Sequence, residues 1–451
     1  MRVLSVIWLC LCSVLLTRAQ LPVIRLTGEN LSTTFSSGTF QLDDGKVLPI
    51  EIRYRGSTSL SYDKKSFAIK LQDEKGEKLD SALLGMRSDN SWILDAMTID
   101  KARMRNRVST DLWNDFSRKS YVSELNPETQ NGTHGKFVEV YLNNEYWGLY
   151  CFTEKIDRKQ LKLKKFKGKT PKGMLYKSNG WSSLHSEDET YYEYNNNSAT
   201  WHSLEVSYPD VEEGEPIDWK PLVDDVYWMT FSDSIEVNSH FKDKFDLPVW
   251  EDYFLFVEFL MADDNICKNM YIYCYDITEA NQKMSIAPWD LDHSWGRSWT
   301  SDTLCAEVET ETWFNWVSYL MQYVYTGLDK TYKERYQELR QTYFTPERFK
   351  KYFSDYFTLF RSTGAWEREK ARWSGVNGIE LDIDAEEQYI YNWIDRRFAF
   401  MDKKYGDNPA GIHDIMVKKD NPSRSYKCVI NNRIVIVRNG KMYNLQGQEI
   451  K

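Results

Sequence analysis

The chain has 451 residues, 41% of them apolar and 15% aromatic, which is enough for a sizeable packed core and excludes an intrinsically disordered chain. A formal net charge of −9 argues against nucleic acid as a partner, because phosphate backbones are bound through basic surfaces. None of the seven cysteines forms a CxxC pair, which removes zinc-ribbon and thioredoxin-type chemistry.

Arg2 precedes an apolar run from Val3 to Leu16, and Thr17, Arg18 and Ala19 supply a small-residue cleavage site. Residues 1–19 therefore read as a secretory signal peptide, and the mature protein is expected to be exported to the periplasm, the cell surface or the medium. Five cysteines remain after cleavage, so at least one is left outside any intrachain disulfide. No later stretch approaches the ~18 uninterrupted apolar residues of a membrane-spanning helix. We divide the rest into a lead-in segment with strand-like patches (20–48), a main domain (49–405), a linker with two Asn-Pro steps (406–425) and a small β-hairpin appendage (426–451).

Alternation of Ile50, Ile52 and Tyr54 with Glu51, Arg53 and Arg55 predicts a first clear strand over Pro49–Arg55. After a Ser- and Thr-rich loop, a second strand is predicted over Ser66–Leu71, and a helix over about Asp100–Phe116. Asn143-Asn144, tolerant of positive φ, predicts a hairpin between Val138–Leu142 and Tyr146–Phe152. The polar stretch Trp181–Asp218 reads as a surface insertion. Trp250–Ala262 reads as a buried helix, followed by a second hairpin over Met270–Pro288. Thr345-Pro346-Glu347 is a helix start, with Phe349, Phe353, Tyr356 and Phe360 at helical spacing behind it. A last helix is predicted over Ala385–Lys404, and Asn439-Gly440 marks a turn in the appendage. Strands first and helices later predict a mixed α/β (α+β) fold.

The stretch Ala262–Gly296 carries the chemistry. Asp264 ends the buried helix, Asn269 follows five residues later at the start of the hairpin, and Asp290 and Asp292 follow its second strand. Because a hairpin brings its two ends together, these four residues are expected at one place. An Asp with an Asn five residues on, a hairpin and then another Asp is the arrangement protein kinases use for phosphoryl transfer. There one carboxylate orients the attacking hydroxyl, while Asn and Asp oxygens hold Mg²⁺, a hard cation. Asp263, beside Asp264, leaves the choice of base open. His134, His185, His202, His240, His293 and His413 are scattered and form no zinc motif; His293 alone lies beside the acidic segment.

Several blocks in a fixed order resemble the CotH (spore-coat protein H) kinase family. They are Arg55-Gly56-Ser57-Thr58-Ser59 with Lys64-Lys65-Ser66-Phe67, Ser91-Trp92-Ile93-Leu94, and Met104-Arg105-Asn106. Val140-Tyr141-Leu142-Asn143, Tyr146-Trp147-Gly148-Leu149-Tyr150, Glu154-Lys155-Ile156-Asp157 and Gly173-Met174-Leu175-Tyr176-Lys177 continue the series. Pro288-Trp289-Asp290-Leu291-Asp292 and Trp295-Gly296 complete it. The resemblance implies an atypical protein-kinase fold, with ATP and Mg²⁺ or Mn²⁺ as cofactors and Ser or Thr of exported proteins as acceptor. It implies Asp264 as the catalytic residue and Asn269 and Asp290 as metal ligands, with Asp292 close by. Arg55, Lys65 and Lys70 are candidates for the ATP phosphates, and Glu154 either contacts the adenine edge or is structural. Departures from the family pattern are Ala262-Asp263 where His-Arg would precede the base, and Asn144 where the turn often has Gly. Two other readings stay open: a non-catalytic coat protein on the same fold, and a glycan-active protein using Asp290-Leu291-Asp292 as a DxD site.

Overall fold

The computed structural model describes residues 20–180, 186–211, 213–266, 268–297 and 331–406, and the backbone of four short strands beyond 425. The proposed signal peptide and almost all of the proposed linker lie outside the described residues. So do Cys267, Cys305, Asn439 and Gly440. The described chain divides into two units, one up to Phe398 and one from Ala399 onward.

The first unit opens with a closed barrel. Its strands are β1 (Val23–Gly28), β2 (Ser36–Leu42), β3 (Leu48–Arg55), β4 (Ser66–Leu71), β7 (Ser91–Asp95), β8 (Gly135–Leu142) and β9 (Glu145–Thr153), in the order β1-β2-β3-β4-β7-β9-β8. Two short strands, β5 (Ser81–Ala82) and β6 (Ser88–Asp89), pair with each other beside it. Closure comes from the parallel pairing of β1 with β8, Ile24 opposite Val140. Segment 20–48 is thus not a lead-in: it supplies two barrel strands, because the inward face of β8 needs the apolar face of β1 to complete its cover. Alternation places Ile50, Ile52, Phe67, Ile69 and Leu71 inside, around a stacked Trp92–Phe152 pair with centroids 4.9 Å apart.

Asn143 and Asn144, at φ 50° and 69°, make the predicted β8–β9 turn. Gly148 sits in β9 at φ +135°, and a Cβ there would meet Glu369 Oε2 at 2.7 Å and Trp373 Nε1 at 2.8 Å. The glycine of Tyr146-Trp147-Gly148 is therefore required for the barrel to accept a helix from the far end of the chain.

Helix α1 (Arg105–Phe116) begins later than the sequence pattern predicts. Arg103 turns left-handed at φ 59°, and Asp100 Oδ2 accepts the N–H groups of Met104 and Arg105 at 2.7 Å each, acting as the cap. After α2 (Val122–Leu125), a second sheet runs β11-β12-β10-β13-β14. Its strands are β10 (Met174–Ser178), β11 (Thr200–Trp201), β12 (Leu204–Tyr208), β13 (Met270–Cys274) and β14 (Ser285–Pro288). The stretch 181–218, expected to be an irregular insertion, contributes β11 and β12; its polar residues flank strands that bury Trp201 and Leu204.

Helices α3 (Lys220–Phe231), α4 (Ser234–Lys244) and α5 (Leu247–Leu260) follow. α5 is buried on nearly every side from Val249 to Leu260, the expected form for a helix apolar all round. Beyond the helical residues 331–340 come α6 (Pro346–Thr363) and α7 (Ala365–Trp373), then α8 (Ile383–Tyr405), which crosses into the second unit. Thr345 caps α6 through the Arg348 N–H at 3.1 Å, and Gly364 ends it at φ 70°. The second unit also holds a four-stranded antiparallel sheet over residues 426–450, larger than the expected hairpin. Cys151 and Cys274 are buried free thiols.

The turn between β13 and β14 is pinned by Asp276. Its carboxylate accepts the N–H and hydroxyl of Thr278 at 3.0 and 2.6 Å and the Lys172 amino group at 3.0 Å. Burial alone would raise its pKa, but bonds from Thr278, Lys172 and Lys164 bring it down to about 2. The folded state thus holds fewer protons than the unfolded chain between about pH 4 and 2. The stabilisation is complete above about pH 4 and fades as pH falls through 2. Urea midpoints of the wild type and Asp276→Asn are expected to differ at neutral pH and to converge as pH is lowered to 2. A constant difference would reject this role.

Candidate functional site

Every end of the β13–β14 hairpin is tied to the other. Met270 pairs with Pro288, and the Trp289 N–H donates to the Asn269 carbonyl at 3.0 Å. The buried Asn265 side chain bridges both loops, donating to the carbonyls of Asn269 at 3.0 Å and Trp289 at 2.7 Å. The Asn265 backbone carbonyl accepts the Tyr253 hydroxyl of α5 at 2.7 Å. One short hairpin on one buried helix therefore sets the position of all four predicted residues.

Asp264 follows α5, which ends at Met261 in the left-handed conformation (φ 49°), and lies in a single 3₁₀ turn, Asp263–Asn265. Its carboxylate accepts Asn269 Nδ2 at 2.9 Å and Lys268 Nζ at 2.7 Å, with His293 Nδ1 at 3.6 Å. Asp264, not Asp263, meets Asn269. Asp263 faces Arg397 and Asp264; burial raises its pKa, Arg397 lowers it and Asp264 raises it. Asn269 and Asp290 both take positive φ, 54° and 56°, a conformation that Asn and Asp tolerate better than other side chains and that clusters at functional sites.

Asp290 is exposed at the mouth of a cleft. The protein packed behind it, then the carboxylates of Asp95 and Asp264, push its pKa up to about 6 against the pull of Arg55 and Lys177. Asp292 is raised well above the carboxylate range, by burial first and then by Asp290 and Asp95. Two residues that sequence reasoning missed hold this loop. The Leu291 N–H donates to Asn106 Oδ1 at 3.1 Å, and Asn106 Nδ2 donates to Asp95 Oδ2 at 3.0 Å. Asn106 was visible only as the last residue of Met104-Arg105-Asn106; Asp95, at the end of β7, gave no signal. Lys268 was also missed, although it adjoins Asn269. The cleft is lined by Asp95, Asn106, Arg107, Thr153, Trp289 and Asp290 among others.

The predicted ATP-binding residues separate. Arg55 reaches the hairpin, its guanidinium 5.6 Å from the centre of the Trp289 ring. Lys65 does not: its amino group donates to the carbonyls of Leu60 and Tyr62, closing the loop before β4. Lys70 lies opposite the barrel core as expected, but its amino group sits 3.7 Å from Glu51 and over the Phe35 ring at 4.2 Å. Glu154 is buried and accepts the backbone N–H groups of His134 at 2.9 Å and Arg87 at 3.2 Å, the pattern of a structural carboxylate. The cause is strand geometry, which commits alternate side chains to opposite faces and sent Lys70 to the outer face of the barrel.

Among the described residues, no three His, Cys, Asp or Glu side chains stand close enough together to hold a metal ion unaided. The donor set nevertheless fits Mg²⁺ or Mn²⁺, which are held by one or two carboxylates together with waters and substrate phosphates. Asn269 donates its amide nitrogen to Asp264, leaving its oxygen for a cation. Asp290 and Asp292 crowd each other's negative charge, which a cation would relieve.

A family model described as CotH kinase protein matches residues 52–401 of the 451, so the chain belongs to the CotH kinase family. No curated protein matches the chain.

Proposed function

We propose that this member of the CotH kinase family is an exported, metal-dependent protein kinase that transfers the γ-phosphate of ATP to Ser or Thr of exported or surface proteins. The hairpin register carries the reading, since it joins Asp264 and Asn269 to Asp290 and Asp292. Export rests on the signal-peptide pattern of residues 1–19. No described helix is long and apolar enough to cross a membrane.

In this reading Asp264 orients the acceptor hydroxyl and takes up its proton. Lys268 and Asn269 hold the Asp264 carboxylate in place. Asn269 and Asp290, with Asp292 beside them, would hold Mg²⁺ or Mn²⁺. When bound, the ion neutralises charge on the transferring phosphoryl group. Asn106 keeps the Asp290–Asp292 loop in register through the Leu291 N–H.

The test is phosphate transfer from γ-labelled ATP to a Ser/Thr acceptor in Mg²⁺ or Mn²⁺, beside Asp264→Asn. The variant is expected to lose on the order of 10²–10⁴ in kcat, the usual contribution of a positioned acid or base. Transfer that is equal in both proteins would take the base role from Asp264. A wild type that neither transfers phosphate nor binds ATP with metal would leave a non-catalytic coat protein.

A further inference from the structure

Residues 158–172 hold eight basic residues and no acidic one, on a chain whose formal net charge is −9. Leu161 and Leu163, at the root of this segment, are buried in the apolar cluster of Leu175, Tyr271, Tyr273 and Ala287, against which Trp289 also packs. Beyond them the chain folds back on itself as a finger. The Gly173 N–H donates to the Lys164 carbonyl at 3.1 Å, and Lys167 and Thr170 exchange both backbone bonds at 3.0 Å around Gly168, at φ +59°. The Lys164 N–H donates to the Tyr275 carbonyl at 3.1 Å, and the Ile277 N–H donates to the Lys172 carbonyl at 2.9 Å. The finger is therefore bonded to the turn between β13 and β14, the end of the hairpin away from the acidic residues.

The anions at the root of the finger are engaged there. Asp276 takes Lys164 and Lys172 at 3.2 and 3.0 Å, Glu279 takes Lys164 at 3.3 Å, and Glu128 takes Lys162 at 2.9 Å. Lys165, Lys167 and Lys169, further out, are exposed and form no ion pair among the described residues. Three like charges held on one fixed turn repel each other and raise the local concentration of anions. The tip, Lys167-Gly168-Lys169-Thr170, has no apolar side chain for a bilayer to take up, and the acidic balance of the chain disfavours an anionic membrane surface. An acidic polypeptide segment meets neither objection. The shared apolar cluster puts the root of the finger and Trp289, the neighbour of Asp290, on one face of the hairpin. The five strand steps from Met270 to Tyr275 separate the two ends by roughly 17 Å, the reach of about five extended residues.

We propose that this lysine finger is a docking surface for an acidic segment of the acceptor polypeptide, placed about five residues from the Ser or Thr that enters the site. The proposal names the class of acceptor and rests on the phosphoryl-transfer reading above. The test measures fluorescence anisotropy and phosphate transfer with peptides that carry one Ser and, on either side of it at that spacing, a run of Glu or of Gln. The wild type is expected to hold the Glu peptide about tenfold more tightly than the Gln peptide, the combined value of three exposed ion pairs, and to lose that preference in high salt. A variant combining Lys165→Gln, Lys167→Gln and Lys169→Gln is expected to keep the wild-type melting temperature and its kcat on the Gln peptide. It should bind the two peptides alike, with KM for the Glu peptide raised about tenfold. Equal affinities for the two peptides in the wild type, or an undiminished preference in the variant, overturn the proposal. So does a wild type that binds vesicles of anionic phospholipid through these lysines but not the Glu peptide. Lysine-dependent binding of the Glu peptide without any phosphate transfer supports the docking surface and sinks the kinase reading instead.

Discussion

Asp290→Asn is expected to abolish phosphate transfer and, in the absence of divalent metal, to raise the melting temperature. If Asp290 is the metal ligand proposed above, the variant should lose at least about 10²–10³ in kcat, the scale set by loss of one preorganised electrostatic group. The stability gain follows from the cluster itself. Surrounding protein, then Asp95, raise the Asp290 pKa to about 6, and Asp290 in turn raises Asp292. Between its unfolded pKa of about 4 and its folded value of about 6, the native state binds more protons than the unfolded chain. Stability therefore falls as pH rises through that window, and at neutral pH the ionised cluster is a net cost. Asparagine removes the charge and the cost together. The measurement is melting in EDTA and in Mg²⁺ for both proteins. The wild type should gain from Mg²⁺ and the variant should gain little. A variant that melts below the wild type in EDTA would show that the cluster is not under repulsion. Retained activity would remove Asp290 from the metal site.

Glu369→Ala is expected to cost about 3–5 kcal/mol, because it leaves buried cations without their counter-ion. The Glu369 carboxylate is fully buried and accepts Lys64 Nζ at 2.7 Å, Arg103 Nε at 2.8 Å and the Leu149 N–H at 2.8 Å. Burial would raise its pKa, but Lys64 and Arg103 more than offset this and hold it below the carboxylate range. Four segments meet there: the loop before β4, the turn before α1, β9 and α7. Domains of this kind are stable by only about 5–15 kcal/mol, so the variant is expected to be partly unfolded at 37 °C. Urea denaturation of Glu369→Ala and Glu369→Gln measures it, the glutamine costing less because it keeps the Leu149 bond. A loss under about 1 kcal/mol in the alanine variant would mean that the cations find other partners.

Much of the local structure was legible in the residues because its causes are local. Alternation marked β3 and β4, Asn143-Asn144 marked the turn between β8 and β9, and Thr345-Pro346 marked the start of α6. The hairpin Met270–Pro288 was legible too, and with it the meeting of Asp264, Asn269, Asp290 and Asp292, because a hairpin's ends must converge whatever surrounds them. Belonging to a family with ordered sequence blocks follows from the same linear information. What linear order left open were the partners that come from elsewhere in the chain. Whether segment 20–48 stood apart depended on β1 closing against β8, a parallel pairing across more than a hundred residues. Whether Lys70 faced the site depended on the strand face it occupied, and whether Lys65 did depended on the carbonyls of Leu60 and Tyr62 that take its amino group. A lysine has the same appearance in sequence on either face. The sequence by itself determined the elements and the acidic hairpin, through periodicity and turn chemistry. The tertiary structure alone decided which cations stand beside the carboxylates, because side-chain direction becomes meaningful only once two sheets and a helix share one cleft.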